Sequence, residues 1–176
     1  MRKTLVVAIL SMTLGLLAGS LVPARAQGVF EAVNEGKAFD NAVPKDFYLE
    51  GNAIPTEKRN AVLLKTPGGK RVVVALIDTT GYSSQIQQKY IGMVIAEGTL
   101  SVCGQKVTVG SYGFGLDKPA PPSDADATFH LYNQAGRKLF DCAAKKDTTA
   151  TQAQPLQVTT SGGAKLVLGK YWLDLN

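Results

Sequence analysis

Ile91–Leu116 reads IGMVIAEGTLSVCGQKVTVGSYGFGL, and the periodicity of this stretch decides the fold class. Ile91 to Ile95 is a short apolar run rich in β-branched residues. Leu100 and Val102 alternate with Ser101 and Cys103, and Val107 and Val109 alternate with Lys106 and Thr108. Period-two alternation sends one set of side chains to a core face and the other to solvent or a second layer. Gly104-Gln105 separates two of these runs, and glycine at the first turn position suits a type II′ hairpin. After Gly110 the parity changes: Val107 and Val109 are odd, whereas Tyr112, Phe114 and Leu116 are even. Two readings account for this, a β-bulge near Gly110 or a strand buried on both faces.

The same logic extends in both directions. Lys45 to Glu50 reads as a strand followed by a turn at Gly51-Asn52, and Pro55 opens an exposed connection through Glu57, Lys58 and Arg59. Ala61–Thr66 and Lys70–Thr79 form a hairpin around Pro67-Gly68-Gly69. Val72 to Ile77 (VVVALI) has no polar interruption, as expected of a strand covered on both faces. Gly81 to Lys89 is the one helical segment, with Ser84 and Gln87 spaced as a capping box and Ile86 and Tyr90 on one face. It is expected to plug one end of the domain. Asp117–Asp126 and Lys145–Gln154 are loops. Thr128–Tyr132 pairs with Lys138–Ala143, and Leu156–Thr160 with Lys165–Leu175. The sum is all-β: an antiparallel β-sandwich or β-barrel of roughly nine or ten short strands with one short helix.

The start of the chain bears on compartment. Arg2 and Lys3 precede a mostly apolar run from Leu5 to Leu21, and Ala24-Arg25-Ala26 is a small-x-small cleavage signal. Residues 1–26 are therefore expected to be a cleaved secretory signal peptide. Residues 27–44 are an N-terminal arm, read as a short helix, an irregular arm or a flexible tail. Residues 45–176 form a single β domain. Cleavage leaves 150 of 176 residues and lowers the formal charge of +5 by three, to +2, because Arg2, Lys3 and Arg25 depart with no acid. A nearly neutral domain without a Lys/Arg cluster gives no nucleic-acid footprint. No transmembrane segment is expected after cleavage, and the location is periplasmic or extracellular.

Cys103 and Cys142 are the two cysteines. An even count in an oxidising compartment predicts one disulfide. It closes a loop of about 40 residues, worth about 4 kcal/mol by chain entropy.

Catalytic patterns are sparse. His130 is the single histidine, which removes metal sites needing two histidines, and no G-x-S-x-G elbow is present. Neither a metal nor a cofactor is expected. Gly110–Gly115 opens no helix and so lacks a phosphate cradle. Asp124-Ala125-Asp126 is too short a motif for a calcium loop. Asp78, Glu97, Asp141 and Asp174 are candidate carboxylates for a glycan hydrolase. Aromatic residues that combine an apolar face with a polar tip suit binding surfaces, and the candidate ligand-binding residues are Tyr112, Phe114, Tyr132 and Trp172. The expectation is an exported non-catalytic binding or interaction module for a protein, a glycan or a small apolar ligand. The alternatives are a secreted glycan hydrolase or a structural cell-envelope component.

Overall fold

The computed structural model describes residues 29–150 and 152–176; the expected signal peptide lies outside them. Thirteen strands and two short helices are described. In chain order they are β1 (Glu31–Val33), α1 (Lys37–Ala42), β2 (Asp46–Leu49), β3 (Asn52–Lys65), β4 (Arg71–Ile77), α2 (Ser84–Lys89) and β5 (Gly92–Ala96). Then follow β6 (Leu100–Val102), β7 (Gln105–Val107), β8 (Gly110–Asp117), β9 (Ala127–Asn133), β10 (Lys138–Lys146), β11 (Gln154–Thr159), β12 (Ala164–Gly169) and β13 (Tyr171–Leu175). No helix among the described residues is long and apolar enough to cross a membrane.

All pairings are antiparallel, in the order β1-β3-β4-β5-β8-β9-β10-β13-β12-β11. β2 adds to β3, and β6 to both β13 and β7. The sheet curls until β11 lies beside β3 without a hydrogen-bonded ladder between them, so the architecture is a nearly closed barrel with one open seam. Pro155 sits in β11, which pairs only with β12. A residue without an N–H donor is tolerated in such an edge strand.

Alternation divides the apolar residues between two cores. Val62, Leu64, Val72, Val74, Val94, Phe114, Phe129, Leu131, Leu166 and Leu173 fill the inner face. Leu63, Val73, Ala75 and Met93 point the other way, where Phe39 and Val43 from the α1 region, Phe47 and Leu49 of β2, and Ile86 and Tyr90 at α2 cover them. The run VVVALI is uninterrupted because β4 is buried on both sides, with β3 and β5 as neighbours. Each such aliphatic side chain contributes about 1.5–3 kcal/mol on burial. The arm at 27–44 thus supplies β1 and α1, and its Phe39 and Val43 share the outer core with β2.

The helix expected at 81–89 forms, but it lies over the outer face of β8 and does not plug an end. Its N-cap is Ser83, whose side chain accepts from the Ile86 N–H at 3.4 Å. A Cβ on Gly115 would stand 2.3 Å from the Lys89 carbonyl oxygen, and one on Gly113 2.7 Å from the Tyr90 ring. The two glycines of YGFG therefore admit the end of α2, while Tyr112 and Phe114 face inward.

Two turns fall one residue earlier than expected. Glu50 and Gly51 have φ of 49° and 77°, and Cys103 and Gly104 have 51° and 77°. Positive φ at both central positions is the type I′ pattern, with Leu49 opposite Asn52 and Val102 opposite Gln105. The parity change before β8 involves no bulge, and β8 is covered on both faces, with Tyr112 and Phe114 inside and Gly113 and Gly115 under the end of α2. The chain leaves the β6–β7 hairpin at Thr108-Val109 and enters a different ladder at Gly110. β3 runs through the expected exposed connection with a register shift between Glu57 and Ala61. Lys165–Leu175 is two strands, separated at Gly169-Lys170.

Candidate ligand-binding site

Cys103 and Cys142 are joined by a disulfide, their Cα atoms 6.4 Å apart. Its place in the sheet explains its use. β10 and β13 pair only at Lys145↔Trp172 and Lys146↔Tyr171. Beyond that point β13 is met by β6 instead, where Leu175 pairs with Val102 and the Cys103 N–H donates to the Asp174 carbonyl. The disulfide ties the β6–β7 turn back to β10 across this divergence.

The four aromatic candidates are not brought together. Tyr112 and Phe114 are buried in the inner core and so present no surface, contrary to the expectation that they line a binding surface. The Tyr112 hydroxyl donates to the Thr108 carbonyl at 2.9 Å. Tyr132 is half-buried on the outer face, edge-on to Tyr90 at 5.2 Å. Trp172 is half-buried on β13, its ring contacted by the Lys165 ammonium at 4.0 Å and by Lys145 at 4.9 Å.

Beside Tyr132 lies a polar cluster that pattern reading missed. Glu50, in the β2–β3 turn, accepts from Lys89 at 2.5 Å and from the Tyr90 hydroxyl at 2.6 Å. Lys89 also donates to the Gly136 carbonyl at 2.6 Å and sits 4.9 Å from the centre of the Tyr132 ring. Lys89, followed by Tyr90, holds the Glu50 carboxyl below the usual carboxylate range. Burial, followed by the bond to Glu50, pushes the Tyr90 phenol well up. These bonds fasten α2 and two hairpin turns together.

His130 is buried on β9, with Nδ1 2.6 Å from Asp141 Oδ1. Its Nε2 lies 2.9 Å from Asp117 Oδ2 but out of line for a hydrogen bond. The group facing Nε2 is a carboxylate, not the serine, threonine or cysteine that a histidine base activates in a triad. Lys138, then His130, holds the Asp141 carboxyl down. The other candidate carboxylates are dispersed. Asp78 accepts from the Thr80 N–H, Glu97 pairs with Arg71, and Asp174 stands opposite Lys165.

The concave apolar surface is at one mouth of the barrel. Leu76 is the penultimate residue of β4, Ile91 precedes β5, Leu116 nears the end of β8 and Leu168 that of β12. With Pro155 of β11 they line a cleft of about 390 Å³ at the seam end. Leu76, Ile91 and Leu116 are partly exposed there, whereas Leu168 is buried. A second cleft of about 610 Å³ adjoins it, sharing Lys118, Ala153 and Gly169 and lined further by Pro121, Asp124, Lys146 and Lys170. Both volumes fall within the range of about 300–1,000 Å³ usual for small-molecule sites. The sequence signal for this mouth was slight: an aliphatic residue at a strand end immediately before a charged, proline-rich loop, as in Leu116-Asp117-Lys118-Pro119.

Comparison with protein-family models, curated proteins and solved structures finds no match to this chain.

Proposed function

We propose that the protein is an exported, non-catalytic binding module that takes a small molecule with an apolar body at the mouth of its barrel. The observation that carries the reading is the cleft lined by Leu76, Ile91, Leu116 and Leu168, an apolar concavity at the open end of the seam. Export is supported by the charged and apolar pattern of residues 1–26, and the Cys103–Cys142 disulfide is compatible with it.

The test has two parts. Native mass spectrometry of protein recovered from the exported fraction is expected to give a chain lacking residues 1–26, two hydrogens lighter for the disulfide, with a retained small mass. Titration with the neutral fluorescent probe N-phenyl-1-naphthylamine is expected to give saturable binding, abolished by Leu116→Asp in a protein of unchanged circular dichroism. A bare protein that fails to bind the probe overturns the binding reading, and a retained leader overturns export by cleavage.

A further inference from the structure

From the charge arranged around the mouth, we propose that the ligand is a single-chain amphiphile with an anionic head, a medium-chain fatty carboxylate. The inference rests on the binding reading above and adds the chemistry of the occupant.

The apolar cleft does not open onto neutral surface. Its rim is the second cleft, where Lys118, Lys146 and Lys170 face a single carboxylate, Asp124. Lys146 is satisfied: its ammonium donates to Asp124 Oδ1 at 2.8 Å and to the Ser123 carbonyl. Lys118 and Lys170 have no carboxylate partner among the described residues. Lys118 belongs to both clefts, and its ammonium lies 4.0 Å from where a Cβ on Gly169 would stand. One exposed cation therefore stands near the β12–β13 turn, at the junction of apolar floor and polar rim.

A molecule that satisfies both surfaces has an anionic group at the lysines and a tail on Leu76, Ile91, Leu116 and Leu168. Room decides the number of tails. At about 30 Å³ for a group the size of water, the apolar cleft of about 390 Å³ holds about a dozen such groups. That is one medium acyl chain, not the two of a membrane phospholipid. The inner core offers no further depth, since Phe114, Phe129 and Leu131 are essentially inaccessible within it.

The experiment is calorimetric titration of the disulfide-bonded protein, stripped of bound lipid, with octanoate, decanoate, dodecanoate and dodecanol below their micelle concentrations. Affinity is expected to rise about fourfold per methylene, the equivalent of burying each CH₂, up to the length the cleft accepts. Dodecanoate is expected to bind at least tenfold tighter than dodecanol. The double variant Lys118→Gln/Lys170→Gln is expected to erase that difference while leaving dodecanol binding unchanged. Equal binding of dodecanoate and dodecanol by the native protein overturns the anionic head and leaves the apolar mouth standing. Tighter binding of a single-chain phosphate-headed lysolipid than of dodecanoate overturns the carboxylate assignment. Failure of every chain, together with failure of the neutral probe, overturns the mouth itself.

Discussion

Replacing Gly115 by alanine adds one methyl group at the point where α2 rests on the sheet. That methyl would stand 2.3 Å from the Lys89 carbonyl oxygen, well inside contact distance. The obstacle is main chain, so no side-chain rotation relieves it. The end of α2 must lift, and with it Tyr90, whose fully buried ring closes the outer core over Gly113. Overpacking a core typically costs about 1–3 kcal/mol, and a main-chain obstacle under a buried aromatic belongs at the top of that range. A loss of about 3 kcal/mol shifts the midpoint of a domain of this size by about 6–12 °C. Gly68→Ala is the control. Gly68 has ordinary φ, and its added Cβ meets nothing closer than Thr66 Oγ1 at 3.9 Å. Restricting the unfolded chain at such a site stabilises by about 0.4–1 kcal/mol. Urea titration followed by the fluorescence of Trp172, the sole tryptophan, measures both variants. Native-state hydrogen exchange locates the damage, because the Gln87 and Tyr90 amides of α2 should lose protection first. A Gly115→Ala protein within 1 kcal/mol of wild type, with those amides still protected, refutes the account of why these glycines stand in β8.

Removing the disulfide with Cys103→Ala/Cys142→Ala is expected to cost up to about 4 kcal/mol, with early exposure of the β6–β7 hairpin; urea midpoints indistinguishable from those of the oxidised protein would contradict its role as the tie across the β10–β13 divergence. Glu50→Gln is expected to cost about 1.5–3 kcal/mol at neutral pH, the range for hydrogen bonds to a charged group. Because the Glu50 carboxyl is held below its ordinary value near 4.3, its stabilisation is complete above that pH and is lost as pH falls through the lowered value. The thermal midpoints of wild type and variant should therefore converge below about pH 4, and a gap as large at pH 3 as at pH 7 would rule this out. Tyr112→Phe removes the hydroxyl that serves Thr108 where the chain changes ladders and is expected to cost about 1 kcal/mol, read as a midpoint shift; a stabilised variant would contradict the assignment.

How much of this was legible in the sequence depends on which physical effect each residue answers to. Alternation predicted that Tyr112, Phe114 and Leu116 share one face, and the uninterrupted VVVALI predicted a strand covered twice. Burial is a property of each side chain and its near neighbours, so it leaves a periodic trace. The turns at Glu50-Gly51 and Cys103-Gly104 lie one residue ahead of the positions that glycine at the first turn place implies. In both, a non-glycine residue holds positive φ ahead of the glycine, a conformation that is uncommon and leaves little compositional mark. The Glu50–Lys89–Tyr90 cluster joins groups about 40 positions apart, beyond the reach of any local window. Tyr112 and Phe114 suit a binding surface by residue type, and glycine within a strand marks a close approach. The close approach is real, but it occurs on the opposite face of β8 and is made by the chain's own helix.

That occupancy bears on where the proposed ligand can sit. With α2 and the α1 region covering β3, β4, β5 and β8 from outside and aromatic residues filling them from inside, neither face of this half of the sheet is open. What remains is the row of strand ends, where alternation stops and an aliphatic side chain has lost its neighbour along the strand. Leu76, Ile91 and Leu116 are three such ends side by side. The seam determines why they stay uncovered. β11 comes alongside β3 but forms no ladder with it, and Pro155 withholds a donor at the end nearest the mouth. A seam closed by hydrogen bonds would remove an exposed strand edge, which proteins otherwise need to protect, and would draw β11 down over Leu76. The unclosed edge and the apolar mouth are thus one feature of the fold, and the lysines at its rim supply the charge that a ligand seated there would answer.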